Sequence, residues 1–248
     1  MRRCRVASVW MVVAGLLLGA CGNAKAQGIT QQQAEEMLKE LRAIRQALER
    51  VTPPPPGQAQ DQRVKLENVR GYALGRPDAP LTIVEFTDLQ CPYCARFARD
   101  TWPLLRERYV DTGKIRFATR DLPLPIHEFA LPAAVAARCA GQQGKVWEYR
   151  EALFRDQSLL SQGRYAELAG EFGLDRTRFE SCRADPAVLA AVRADAALAA
   201  SSGISSTPSF VIGRVVNGEF AGEVMSGAKP FEVFQQRLDS LLQQQSQK

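Results

Sequence analysis

The 248-residue sequence has few of the residues on which several classes of binding site depend. It contains a single histidine, His127, which has no companion residue at the spacing of a metal ligand. Structural zinc sites take four ligands, usually in closely spaced pairs, so we expect no metal and no other cofactor. His127 lies beside two prolines at a helix start, and we interpret it as a capping or packing residue. Basic residues form no stripe, so we expect no nucleic-acid partner.

Long apolar runs are also scarce, and the clearest one lies near the N-terminus. Residues 9–18 are apolar but fall short of the roughly 20 residues that a membrane-spanning helix needs. They follow three arginines, which is typical of a secretory signal peptide over residues 1–20. Removal of this segment lowers the formal net charge by three, from +5 to +2. We therefore expect an exported protein on the periplasmic side of a bacterial envelope.

Two processing sites compete after the apolar run. LGAC at residues 18–21 resembles a bacterial lipobox, in which Cys21 becomes the lipidated first residue. AKA at residues 24–26 instead matches an ordinary signal-peptidase site and predicts removal of residues 1–26. We favour a lipid anchor because the lipobox directly follows the apolar run and gives Cys21 a role. The alternative is a soluble periplasmic protein.

Four cysteines remain under either alternative, namely Cys91, Cys94, Cys139 and Cys182. An even number of thiols in an exported protein suggests two disulfides, at least one of them structural. Cys139 and Cys182 have no close cysteine neighbour, so we expect a structural bridge between them, with free buried thiols as the alternative. Such a bridge would close a loop of about 44 residues and contribute roughly 3–4 kcal/mol to stability.

Residues 30–51 carry the pattern of an amphipathic helix that Thr30 could cap. Apolar residues recur at spacings of three and four, as in a coiled-coil seam, at Ala34, Met37, Leu41, Ile44, Leu48 and Val51. In this register Glu40 could pair with Arg45 of a second, parallel helix. The segment is shorter than three heptads, so packing on its own domain is the alternative. We favour self-association because the proline-rich linker at residues 52–63 detaches the helix.

Residues 64–244 predict one α/β domain. Apolar, β-branched segments predict strands at residues 80–86, 114–120 and 208–213. Helices are expected over residues 91–110, with a bend at Pro103, and over residues 229–242. From about residue 123 to 205 the chain is alanine-rich, which predicts a helical insertion between the second strand and the third.

The sequence CPYC at residues 91–94 lies where a strand pattern gives way to a helix. A helix N-terminus offers free amides and partial positive charge, which favour a thiolate at Cys91. We expect Cys91 to be the exposed nucleophile and Cys94, one turn later, to be buried and to resolve a mixed disulfide. Pro92 suits the first helical turn, and together with Tyr93 it tunes the redox poise. A purely structural bridge is not favoured, because so short a loop constrains the unfolded chain little.

Three separated segments together resemble a known family. They read VEFTDLQCPYCARF, IRFATRDLPLPIHEFALPAAVAARCAGQQGKVWEY and GISSTPSFVIG. In this order they resemble the DsbA-like thioredoxin-fold oxidoreductases of bacterial envelopes, over about residues 74–242. The resemblance implies an α/β thioredoxin fold with an inserted helical domain, and activity as a thiol–disulfide oxidoreductase.

The resemblance also implies residues for the site. Cys91 and Cys94 match the catalytic pair, and Thr207 with Pro208 matches a cis-proline loop opposite that pair. Such a loop can present backbone groups to an extended substrate strand. Glu85 matches a buried acid beneath the site, which could relay a proton to Cys94. The alternative for Glu85 is a solvent-facing position on an edge strand.

The implied partners are unfolded, cysteine-containing exported proteins and a membrane redox partner. The sequence leaves open whether the exchange runs as oxidation, reduction or isomerisation. Two other functions stay open, namely a non-catalytic envelope lipoprotein that binds a partner through its thioredoxin-like face and a metal chaperone that uses the same thiols.

Overall fold

A computed structural model describes residues 30–51, 63–66, 71–216 and 218–246, without the side chains of residues 46–51 and 245–246. The expected signal peptide, under either cleavage, lies outside these residues, as do Cys21 and nearly all of the linker. The chain divides into two units, Met1–Ala59 and Gln60–Lys248.

Helix α1, Gln31–Val51, is the described part of the first unit. The hydroxyl of Thr30 accepts a hydrogen bond from the Gln33 N–H (3.3 Å), and the Gln33 side chain accepts one from the Thr30 N–H (3.1 Å). This reciprocal pair is a capping box, so the expected cap at Thr30 is confirmed. Large apolar side chains of the helix are half exposed, at Met37, Leu38, Leu41 and Ile44.

In the second unit the described strands form a six-stranded sheet in the order β1-β6-β5-β3-β4-β2. The strands are β1 Arg63–Leu66, β2 Tyr72–Leu74, β3 Leu81–Thr87, β4 Ile115–Asp121, β5 Ser209–Val216 and β6 Glu219–Ser226. Strands β3 and β4 are parallel, and the other neighbouring pairs are antiparallel. The three strands expected at residues 80–86, 114–120 and 208–213 are confirmed, whereas β1 and β2 were not expected.

The helix expected over residues 91–110 is broken. Helix α2 spans Pro92–Asp100, helix α3 spans Trp102–Leu105, and a π-helical turn follows at Arg106–Val110. The break falls at Thr101, two residues before Pro103, because a proline ring clashes with the preceding helical turn and donates no hydrogen bond. At this break the hydroxyl of Thr101 donates a hydrogen bond to the carbonyl of Lys229 (2.9 Å).

The expected helical insertion lies between β4 and β5. Its helices are α4 Ala130–Gly141, α5 Val146–Arg155, α6 Ser158–Ser161, α7 Tyr165–Glu171, α8 Arg176–Ala184 and α9 Pro186–Ser201. The terminal helix, α10, spans Phe231–Ser246. Across the described ranges, we find no helix with the length and apolar character that crossing a bilayer requires.

Strand β3 lies at the centre of the fold and is buried along its whole length. On one face Leu81 and Ile83 join a core that includes Phe97 of α2 and Phe234 of α10. The insertion has a separate core around its own helices. The Cys91–Cys94 segment thus starts from the most buried strand and ends in a helix that packs on the central core.

Buried and partly buried ion pairs attach the insertion to the sheet. Arg120 of β4 contacts the carboxylate of Asp195 in α9 (2.5 Å). Arg138 of α4 contacts both Asp195 and Asp121 at the end of β4 (2.5 Å each). These contacts fix the insertion beside the carboxyl end of β4, next to the cysteine pair.

Candidate active site

The cysteine pair lies where β3 gives way to α2. Strand β3 ends at Thr87, and Cys91 is the N-cap residue of α2, with φ −70° and ψ 123°. The Cys91 N–H donates to the carbonyl of Asp88 (3.1 Å), which closes the turn between the strand and the helix. Pro92 is the first helical residue, where its missing N–H breaks no intrahelical bond. Both thiols, Cys91 and Cys94, are free.

The two thiols differ sharply in acidity. The thiol of Cys94 donates to the Cys91 sulfur, and this is the largest cause that lowers the pKa of Cys91 to about 5. Contacts with Thr207 and with backbone groups of the first helical turn lower it further, and burial opposes them. Burial is the main cause that raises the pKa of Cys94, followed by its bond to Cys91. At neutral pH Cys91 is therefore a thiolate while Cys94 keeps its proton.

The structure corrects one expectation about Cys91. The residue is 3% exposed, not openly exposed at the helix start. Its sulfur lies 3.5 Å from the carbonyl oxygen of Thr207, whose peptide bond with Pro208 is cis. The cis-proline loop covers the sulfur, and the exposed residues of this segment are Pro92 and Tyr93, the latter at 57%. Cys94 is fully buried, which agrees with the expectation.

Glu85 is buried in the central strand β3, so the alternative of a solvent-facing edge position is wrong. Its carboxylate accepts hydrogen bonds from Arg150 of α5 (2.9 Å) and from the hydroxyl of Thr119 (3.1 Å). Glu85 and Arg150 line a cleft of about 40 Å³ between strands β3 and β4 and helices α2, α3 and α5. Its aromatic walls are Phe97, Trp102, Phe117, Trp147 and Phe154. Glu85 is thus half of a buried ion pair, and the sequence carried no signal for its partner.

The turn that precedes Cys91 is held by side chains that the sequence analysis did not assign to the site. The carboxylate of Asp88 contacts Nδ1 of His127 (2.7 Å). The side-chain amide of Gln157 donates to the carbonyls of Leu89 (2.9 Å) and Cys91 (3.2 Å). Asp88 follows the strand directly, which was a usable signal, whereas Gln157 is brought to the site by the insertion alone.

Cys139 and Cys182 lie away from the redox pair, in the core of the insertion. They form a disulfide between α4 and α8, with an S–S distance of 2.01 Å and a sequence separation of 43. The pair clamps two helices that the chain connects through α5, α6 and α7.

A dithiol at a helix N-terminus, facing a cis-proline loop, is the arrangement of thioredoxin-like proteins. A family model described as thioredoxin matches residues 67–238. The chain belongs to the thioredoxin family. Within this thioredoxin-family chain, the match includes the sheet from β2 onward, the insertion and the cysteine pair.

Relatives of this thioredoxin-family chain carry two kinds of name. The Na⁺/H⁺ antiporter NhaA 3 of Salinispora tropica is 34% identical over 170 residues, which cover 68% of this chain and 26% of the antiporter. A Rickettsia bellii protein named as a protein-disulfide oxidoreductase is 25% identical over 174 residues, covering 67% of this chain and 66% of that protein. The chain spans about a quarter of the length of this antiporter and of the NhaA 1 antiporter of Salinispora arenicola, which it also matches.

A solved structure gives the same fold assignment. The crystal structure of α-DsbA1 from Wolbachia pipientis matches with a TM-score of 0.59 and 26% identity, covering 69% of this chain and 90% of that chain. This thioredoxin-family chain is therefore DsbA-like, with the helical insertion that the sequence predicted.

Proposed function

We propose that the chain is a thiol–disulfide oxidoreductase that exchanges disulfides with exported proteins through Cys91 and Cys94. The observation that carries the proposal is the opposed acidity of the two thiols, with the pKa of Cys91 lowered to about 5 and that of Cys94 raised. A thiolate is the reactive form in disulfide exchange, and a good leaving group in the reverse step. In this proposal Cys91 is the cysteine that forms the mixed disulfide with the substrate and is released from it as a thiolate. Cys94 is the cysteine that resolves the mixed disulfide.

The favoured direction is oxidation of substrate dithiols. A stabilised thiolate stabilises the reduced protein, and this makes the corresponding disulfide a stronger oxidant. A substrate thiolate attacks the Cys91 sulfur of the oxidised protein, the Cys91–Cys94 bond breaks, and Cys94 takes up a proton. A second substrate thiolate then attacks the substrate sulfur of the mixed disulfide and releases Cys91 as a thiolate. The substrate loses two electrons, and the reduced chain is reoxidised by a membrane redox partner.

Substrates in this proposal are unfolded proteins that carry cysteines. The carbonyl of Thr207 and the cis bond to Pro208 lie against the Cys91 sulfur. An extended substrate segment can pair with the backbone of such a loop while its cysteine reaches Cys91. Pro92 and Tyr93 complete the surface around the sulfur. Glu85, paired with Arg150, could relay a proton to Cys94 when that thiol leaves.

The test is the reduction potential of the Cys91–Cys94 couple in a glutathione titration. A potential near −120 mV, about that of strong oxidases, supports oxidation, and one near −270 mV, about that of thioredoxin, supports reduction instead. In exchange assays with a disulfide-containing substrate, Cys91→Ser should abolish the reaction. Cys94→Ser should accumulate a mixed disulfide, because the Cys91 thiolate still attacks the substrate disulfide and releases one substrate thiolate, but no second thiol of the chain resolves the bond.

Two further measurements distinguish the other two functions. Full cellular function in Cys91→Ser would favour a non-catalytic lipoprotein that binds a partner. Stoichiometric copper or zinc binding by the reduced chain, with no exchange activity, would favour a metal chaperone.

We further propose a homo-oligomer through residues 30–51 and a lipid anchor at Cys21 on the periplasmic side. Met37, Leu41 and Ile44 of α1 are each more than half exposed, which supports pairing with a second copy. Several active sites held together would suit isomerisation, the alternative direction. Metabolic labelling with a fatty acid tests the anchor, since Cys21→Ser should abolish the label if Cys21 is the acceptor.

A further inference from the structure

A fully buried carboxylate lies in the turn between β3 and α2. The side chain of Asp88 is 0% exposed and accepts three hydrogen bonds. Its Oδ1 accepts from the N–H of Gln90 (2.8 Å). Its Oδ2 accepts from the N–H of Leu124 (2.8 Å) and contacts Nδ1 of His127 (2.7 Å). A carboxylate offers acceptors alone, so Nδ1 of His127 carries a hydrogen and donates.

The backbone of Asp88 touches both halves of the redox pair. Its carbonyl accepts from the N–H of Cys91 (3.1 Å). Its N–H lies beside the Cys94 sulfur, where it lowers the pKa of Cys94 against the larger effect of burial. The orientation of residue 88 therefore determines one contact to each cysteine.

Residues 122–129, the loop that enters the insertion, are fastened to the same turn. The N–H of Leu122 donates to the carbonyl of Thr87 (2.7 Å), and the N–H of Phe129 donates to the side chain of Gln90 (2.6 Å). Among these contacts, the His127–Asp88 bond is the one in which a side chain of the loop donates to the turn. His127 is 17% exposed at its side chain, so the bond is largely shielded from water. A hydrogen bond to a charged group in such a setting is stronger than a neutral one.

We propose that Asp88 and His127 are positioning residues for the exchange reaction, and that His127, by holding the Asp88 carboxylate, favours the reduced state of the Cys91–Cys94 couple. The inference rests on the proposed function. Without the imidazole, the carboxylate keeps two backbone donors but loses its third. The turn loosens. The Asp88 carboxylate, three residues before Cys91, also loses one of the hydrogen-bond donors that offset its negative charge. Both changes disfavour the Cys91 thiolate and hence the reduced protein.

The experiment compares His127→Asn with His127→Gln. The amide nitrogen of Asn matches the place of Nδ1, whereas that of Gln matches the place of Nε2. In a glutathione titration, His127→Gln and His127→Ala should need about a tenfold higher ratio of [GSH]² to [GSSG] for half reduction, a potential lower by about 30 mV. His127→Asn should stay within about twofold of the wild type.

A matched control removes a hydrogen bond outside the site. Tyr72→Phe deletes the bond from the Tyr72 hydroxyl to the Arg138 carbonyl (2.9 Å) and should leave the potential unchanged. Urea unfolding of every variant separates lost stability from a shifted potential, and if His127→Ala does not fold, the Asn and Gln variants decide. The proposal is overturned if His127→Gln matches the wild type, or if His127→Asn shifts as far as His127→Gln. A wild-type chain that does not exchange with glutathione at all would instead overturn the proposed function.

Discussion

At the scale of single residues, the acidity of Cys91 depends on two neighbouring side chains that come from different parts of the chain. Cys94 is the largest contributor, and it lies one helical turn away. The side chain of Thr207, in a loop 116 residues later in the sequence, lowers the pKa of Cys91 further. Cys94 could be anticipated from CPYC alone, since the spacing places it in the first helical turn. The Thr207 carbonyl could be expected near the site by resemblance, but its cover over the sulfur depends on how β5 enters the sheet.

The lowered pKa of Cys91 predicts how the stability of the reduced protein depends on pH. Between about pH 5 and the pKa of an unfolded cysteine near 8.5, the unfolded chain holds a proton at Cys91 that the folded chain has released. The unfolding free energy of the reduced protein should therefore rise with pH across this window, and this contribution should vanish below about pH 5. The oxidised protein, which has no free Cys91 thiol, is the matched control. Urea titrations of both forms from pH 4 to 9 give the difference, and a flat difference contradicts the assignment.

At the scale of secondary-structure elements, the parts with strong local patterns were predictable and the rest were not. Strand β3 is a continuous β-branched run, and α10 carries one apolar face, so both were found from sequence. Strand β2 has three residues and exists because β4 offers it an edge, which no local pattern encodes. Likewise, the partner of Glu85 could not be inferred from sequence. Arg150 is a charged residue of a helical segment and would be expected on the surface, but α5 packs against β3 and buries it.

The Glu85–Arg150 pair predicts a strong coupling between β3 and α5. Removal of one partner from a buried ion pair leaves an uncompensated charge, which destabilises a protein by about 3–5 kcal/mol. Arg150→Met should therefore lower the unfolding free energy by about that amount in urea titrations. The double variant Glu85→Gln with Arg150→Met removes both charges and should recover most of the loss. If the single and double variants are equally unstable, packing of the Arg150 side chain, not its charge, is what matters.

The disulfide between α4 and α8 makes a separate prediction for the insertion. Cys139→Ala with Cys182→Ala should lower the unfolding free energy by roughly 3–4 kcal/mol, because the bridge restricts a long loop in the unfolded chain. The reduction potential of Cys91–Cys94 should not change, since the bridge lies in the core of the insertion and contributes no group to the redox pair. Chemical denaturation and a glutathione titration of the same variant measure the two effects. A shifted potential would show that the insertion tunes the site through this bridge.

At the scale of the whole molecule, the chain joins a redox domain to a helix whose apolar residues lie open to solvent. Met37, Leu41 and Ile44 are 51%, 55% and 54% exposed. Apolar residues in a repeating three-and-four pattern are typical of helices that bury this face against a partner. Leu41→Glu would place a charge in the seam, whereas Ala43→Glu would place the same charge on the outer face of the helix.

The oligomer proposal therefore predicts opposite outcomes for two similar substitutions. Wild-type protein and Ala43→Glu should share one mass above that of a monomer in sedimentation equilibrium, while Leu41→Glu should sediment as a monomer. The Cys91–Cys94 potential should be the same in all three, because it is set within one domain. Refolding of a scrambled-disulfide substrate then separates the two directions of the enzyme. If isomerisation needs several sites around one substrate, Leu41→Glu should lose it and retain dithiol oxidation. A monomeric wild-type protein would contradict self-association, and isomerisation that survives in Leu41→Glu would detach that activity from the helix.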